Sequence, residues 1–132
     1  IKLLTIKGNS EQRVHAYERL TLFLERLKPS NLVTKFDKNL APHEFVFLIE
    51  KTINDEFDYN ASQQLYITAK TWKNVVNCKN NMLHLLHKTY ENLGNNSSLD
   101  DYKTIFLMNY MNEEDFIANC LEEFRKENLI VN

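Results

Sequence analysis

The sequence predicts an all-α fold, a single domain of four to five helices packed as an irregular bundle. Three observations predict it. Apolar residues recur every three to four positions along most of the chain, the spacing that gathers them on one face of a helix. Only two Gly and two Pro occur in 132 residues, so few sharp turns are written in, which argues against a many-stranded β fold. A hydrophobic content of 43% is enough for a packed core and excludes a disordered chain. The length suits one domain and is short for two.

Residues 1–9 read as a lead segment ending in Gly8-Asn9. Ser10 reads as the N-cap of the first helix; Arg13 rather than Glu stands three positions on, so there is no capping box. This helix runs to about Lys28, before Pro29, with Tyr17, Leu20, Phe23, Leu24 and Leu27 on one face. Leu22 falls on the opposite, polar face. Residues 28–44 form a connector with Leu32, Val33, Phe36 and Leu40 as apolar handholds. Pro42 suits the first turn of a second helix, where its missing N–H has no partner to lose. That helix reaches about Phe57 on a stripe of Phe45, Ile49 and Ile53, widened by Val46 and Phe57, and Phe47 points away from it.

The period breaks over residues 58–68, where Asp58 and Asn60 favour turns and Leu65–Ile67 an extended piece. Thr68 caps the third and longest helix, which shows Trp72, Val75, Val76, Met82, Leu83, Leu86, Tyr90 and Leu93 on one face and stops at Leu93-Gly94, with Gly at the left-handed position. After a loop, Ser97-x-x-Asp100 or Ser98-x-x-Asp101 opens a fourth helix, apolar nearly all round from Ile105 to Met111 and therefore expected to be enclosed. Asn112 and the acids after it open a fifth, with Phe116, Ile117, Cys120, Leu121 and Phe124 as its stripe. The organisation is thus a lead (1–9), core helices (10–93) around an irregular segment (58–68), and a C-terminal helical pair (98–128).

A net charge of −2 with acids and bases mixed along the chain shows no basic stripe and points away from nucleic acid. Cys78 and Cys120 are the only thiols; in a domain with an adequate core they read as reduced and buried. No run approaches a membrane span, and no signal peptide is evident. Gly-rich phosphate loops, nucleophile elbows and H-E-x-x-H are missing, so no cofactor is implied. His84, His87 and Glu91, at i, i+3 and i+7, are the best-placed metal ligands, but they are three where a structural site needs four. Glu11, His15 and Glu18 are a weaker version of the same pattern. Trp72 between Lys70 and Lys73 could stack on a ligand and reads more simply as a core anchor with one wet edge. Leu22 and Phe47 pose the remaining question: either the chain's own C-terminal part covers Leu22, or the two form one patch for a partner. Gln63, Gln64 and Tyr66 could add a polar patch beside it; the simpler role for the glutamines is to satisfy backbone groups.

The stretches AYERLTLFLERLKPSNL (16–32), EFDYNASQQLYIT (56–68) and TWKNVVNCKNNML (71–83) resemble an uncharacterised family of small Bacteroidetes proteins. Its members typically carry Q-A-Y-E-R-L-x-L-F-L-E-R-I-x-P followed by a Q-Q-[IL]-Y segment and a Trp-bearing helix. The likeness spans about residues 14–90 and loosens past Gly94; His15 stands where the family often has Gln. The resemblance implies a cytosolic helical domain behind a single N-terminal transmembrane anchor, of which this chain, starting at Ile1, would be the part beyond the anchor. Lys2 and Lys7 agree with a cytoplasmic flank. It implies no activity, cofactor or catalytic residue. The expected function is a non-enzymatic adaptor or structural domain at the cytoplasmic face of the inner membrane, binding a protein partner or a second copy of itself. The alternative is a metal-binding protein or enzyme using His84, His87 and Glu91.

Overall fold

A computed structural model describes the backbone of residues 2–131 and the side chains of residues 10–127. Among the described residues it contains six α-helices, one 3-10 helix and no strand. The helices are α1 (Lys2–Leu27), α2 (Pro29–Leu32), α3 (Pro42–Asn60), α4 (Ala69–Glu91), α5 (Leu99–Met111) and α6 (Phe116–Val131), with the 3-10 helix at Ala61–Tyr66. The all-α class holds; the count exceeds four to five because the connector contributes a one-turn helix. Pro29 occupies its first position, where a missing N–H costs nothing, and Leu32 plugs it into the core.

The helix α1 begins earlier than the sequence suggests. Ser10 lies inside it and caps nothing. Residues 1–9 contain no Pro, and once a packed segment nucleates a helix, each further residue adds a bond; Gly8 costs only about 0.5–1 kcal/mol relative to Ala. At the other end Lys28 turns extended (ψ 136°) ahead of Pro29, as the proline ring demands of its predecessor. Ala16, Tyr17, Leu20, Phe23, Leu24 and Leu27 are buried, the predicted face.

The start of α3 is as predicted, with Pro42 first and the Glu44 carboxylate accepting from the Ala41 N–H at 3.0 Å. Phe45, Val46, Ile49 and Ile53 are buried and Phe57 packs against them. The 3-10 helix (61–66) takes in Leu65 and Tyr66 of the expected extended piece Leu65–Ile67, leaving Ile67 extended together with Thr68 just ahead of α4. Thr68 caps α4 by accepting from the Thr71 N–H at 3.1 Å. The buried stripe of α4 is Thr71, Val75, Cys78, Met82, Leu85, Leu86 and Thr89, rotated from the predicted one, so that Tyr90 is exposed. Large, half-buried apolar side chains at the stripe's edge (Trp72, Leu83) read as part of it in the sequence, while two small polar residues within it, Thr71 and Thr89, do not. Gly94 does not take the left-handed backbone; Asn96 does (φ 64°).

Ser98 and Asp101 form the capping box of α5, each side chain accepting from the other's N–H at 3.1 and 3.0 Å. Asn112 closes α5 rather than opening α6. The N-cap of α6 is supplied by Asp115, whose Oδ1 accepts from the Ala118 N–H at 3.0 Å. Ile117, Cys120, Leu121 and Phe124 are buried. Two helices organise the core. One is α1, packed on α3, α4, α6 and the 3-10 helix; the other is α4, packed on α3, α5, α6 and α1.

Candidate functional site

The antiparallel pair α1 and α3 leaves an open groove of about 360 Å³. Arg19, Leu22 and Arg26 form one wall and Asp55, Glu56 and Tyr59 the other. The α1 stripe of Phe23 and Leu27 faces inward to Ile53, so Leu22, one position off that stripe, points along the groove's outer edge. It is half exposed, and Tyr59 opposite is 78% exposed. The Arg19 guanidinium sits 5.1 Å from the centre of the Tyr59 ring, a cation–π contact that holds the ring upright. Lys51 pairs with Asp55 at 3.0 Å. The groove can accept an apolar side chain between a basic and an acidic wall.

The C-terminal part of the chain therefore does not cover Leu22, and Leu22 and Phe47 do not form one patch. Phe47 is exposed, but it stands about two turns before Asp55 on α3, roughly 12 Å along the axis. In the antiparallel register this carries it past the end of α1. Gln63 is buried within the 3-10 helix, Gln64 donates its Nε2–H to the Ala61 carbonyl at 3.0 Å, and Tyr66 is half-buried. The exposed large apolar side chain of this segment is Leu65. Ile105, Met108 and Met111 are also exposed, which corrects the expectation that α5 is enclosed: α4, α3 and α2 cover one side of it. Tyr59, Leu65 and this α5 stripe were missed because periodicity marks apolar positions without saying which faces find neighbours.

Histidines 84 and 87 diverge. His87 Nε2 lies 3.2 Å from Glu50 Oε2 on α3, whereas His84 lines a small cavity with Glu113 and Glu114 beyond α5; Glu91 is exposed. Among the described residues no three His, Cys, Asp or Glu side chains are placed to hold a metal ion, Glu11, His15 and Glu18 included. Trp72 stacks on Phe57 with ring centres 5.2 Å apart, half-buried, and the Lys79 ammonium covers the Phe57 ring at 4.3 Å. The Trp72 ring is engaged from within the fold.

One polar cluster escaped the sequence reading. Glu127 of α6 reaches the N-terminus of α4 and accepts from the hydroxyls of Tyr17 and Thr71, with the Thr68 hydroxyl 3.2 Å away. Burial works against its charge, but the Thr71, Tyr17 and Thr68 hydrogen bonds and nearby Lys70 more than offset it, holding this carboxyl below its usual range. Burial and the bond to Glu127 push the Tyr17 phenol up to about 12. A carboxylate at a helix N-terminus also meets the positive end of the helix dipole. The cluster joins α1, α4 and α6, with Phe124 edge-on to Tyr17 at 5.2 Å. Its hydroxyls are all engaged with one another or with Glu127, which suits a structural clasp.

Among the described residues no helix is long and apolar enough to cross a membrane. A model for a family of unknown function, DUF7935, matches residues 4–129. No curated protein and no solved structure matches the chain.

Proposed function

This chain belongs to DUF7935, a family of unknown function, and we propose that it is a non-enzymatic adaptor or structural domain acting through protein–protein contacts on its helix surfaces. The observation that carries the reading is the α1–α3 groove. It presents Leu22 and Tyr59 to solvent on a rigid helical frame, between Arg19 and Arg26 on one side and Asp55 and Glu56 on the other. An apolar slot with opposed charges at its rim suits an amphipathic protein segment, since the apolar contact supplies affinity and the charges fix register. Exposed Phe47 and Leu65 extend the available surface, and Gln64 and Tyr66 flank Leu65. In this reading the domain works at the cytoplasmic face of the inner membrane of a Bacteroidetes cell, behind an N-terminal anchor.

The test uses the full-length gene product in its own cells. A photo-reactive residue in place of Leu22 is expected to cross-link to one discrete protein, or to a second copy of the chain, in the membrane fraction. Tyr59→Asp should abolish that adduct with an unchanged circular dichroism spectrum. Absence of any discrete adduct overturns the adaptor reading, and an adduct confined to the soluble fraction overturns the anchor.

A further inference from the structure

Outside the groove, the two cysteines stand together. Cys78 lies on the inner face of α4 and Cys120 near the start of α6, and both are buried. The two helices pack on each other, and both cysteines border one cavity. Cys78 Sγ is also 3.3 Å from the Phe116 carbonyl, one helical turn before Cys120. A cavity of about 210 Å³ reaches both residues, walled by Asn74, Asn77, Asn119 and Glu123. At about 30 Å³ per water-sized molecule, such a space admits a small polar solute. Two thiols in the wall of one cavity lined largely by asparagines are unlike inert core cysteines, which are sealed from solvent by apolar side chains.

We propose that Cys78 and Cys120 are a redox-active dithiol, oxidised by hydrogen peroxide to a reversible disulfide that staples α6 to α4. Cys120 is the attacking sulfur. It lies in the second turn of α6, and the neighbouring Cys78 lowers its thiol against the opposing effects of burial and Glu123. Cys120 and burial together raise the Cys78 thiol and keep it protonated. The Cys120 thiolate attacks one peroxide oxygen; the S–O bond forms, the O–O bond breaks, and the departing hydroxide takes up the proton Cys120 released, giving water and a sulfenic acid. The Cys78 sulfur then attacks the Cys120 sulfur. The S–S bond forms, the S–O bond breaks, and hydroxide leaves with the Cys78 proton as a second water. Two electrons pass from the sulfurs to peroxide, and a dithiol reductant returns them by exchange. The bond closes a loop that contains all of α5 (Leu99–Met111).

The test is a thiol count after peroxide treatment of the folded protein. After stoichiometric peroxide, neither thiol should be alkylatable once the protein is unfolded, the intact monomer should lose two hydrogens in mass, and digestion should yield a peptide pair joined at 78 and 120. A dithiol reductant should restore both thiols. In Cys78→Ser, oxidation should stop at a dimedone-reactive sulfenic acid on Cys120, and Cys120→Ser should slow thiol loss at least tenfold. Two alkylatable thiols in peroxide-treated wild-type protein once it is unfolded, or only intermolecular disulfides, would overturn the proposal, and this readout needs no variant to fold.

Discussion

Replacing Glu127 by Ala tests what holds α6 onto the rest of the fold. The substitution leaves the nearly buried Tyr17 hydroxyl without its acceptor, at about 1–3 kcal/mol for an unsatisfied buried group. Thr71 is fully buried but keeps the Thr68 hydroxyl at 2.9 Å, so its loss is nearer 0.5–1 kcal/mol. Thr68 is exposed and can turn to water. The sum is about 1.5–4 kcal/mol, or a fall in Tm of roughly 5–14 °C for a domain of this size. Glu127→Gln retains an acceptor and loses only the charge, so it should fall between the parent and Ala. Thermal unfolding followed by far-ultraviolet circular dichroism measures both. The parent's advantage must also depend on pH with a definite sign. The folded carboxyl titrates below its unfolded value, so the stabilisation is complete above the unfolded Glu value of about 4.3 and is lost as pH falls through the folded value beneath it. A Glu127→Ala protein melting within about 1 °C of the parent at neutral pH would refute the clasp.

Two further predictions separate surface from core and test a cap. Leu22→Asp, at a half-exposed position, should change stability by no more than about 0.5 kcal/mol. Leu24→Ala, two residues on and fully buried, should cost about 2–5 kcal/mol in urea unfolding; equal effects would place Leu22 in the core. Ser98→Ala removes the side chain that accepts from Asp101 N–H and should cost about 1 kcal/mol by the same measurement. No change there would mean that the α4–α5 loop is held by other contacts.

How much was legible depended on whether a signal was local. The α1 face from Tyr17 to Leu27, the α3 stripe, Pro42 at the start of α3, Thr68 as a cap and the Ser98–Asp101 box are all set by residues within a turn or two of one another, and the sequence states them. The errors arose where long-range packing decides. Ser10 has a cap's chemistry, but a helix already nucleated ran through it. Thr71 and Thr89 lie at the centre of the α4 stripe because a hydroxyl there meets Glu127 or the Asn109 side chain, partners that lie 56 and 20 residues away. The apolar girdle of α5 is visible in sequence, but which third of it stays uncovered is decided by where α2, α3 and α4 lie. The interaction candidates divide the same way: Leu22 was legible as an apolar residue on the wrong face, whereas its partner across the groove, Tyr59, required the antiparallel register of α1 and α3.

The C-terminal helix α6 is held to the rest of the fold by contacts of several kinds. Its first turn is capped by Asp115, its second turn sets Cys120 on the cavity it shares with Cys78, Phe124 packs edge-on against Tyr17, and its later part carries Glu127 to the start of α4. The attachments differ in kind. Apolar packing of Phe124 responds to neither acid nor oxidant; the Glu127 clasp weakens with acid; the thiol pair tightens with peroxide. The two sensitive contacts therefore act in opposite directions on one element, and they should be additive only if the two ends of α6 come away independently. If oxidation of the thiols reduces the cost of Glu127→Ala by more than about 0.5 kcal/mol, the limit for independent sites, α6 undocks as a unit. In that case the disulfide holds the clasp closed after its carboxylate is gone.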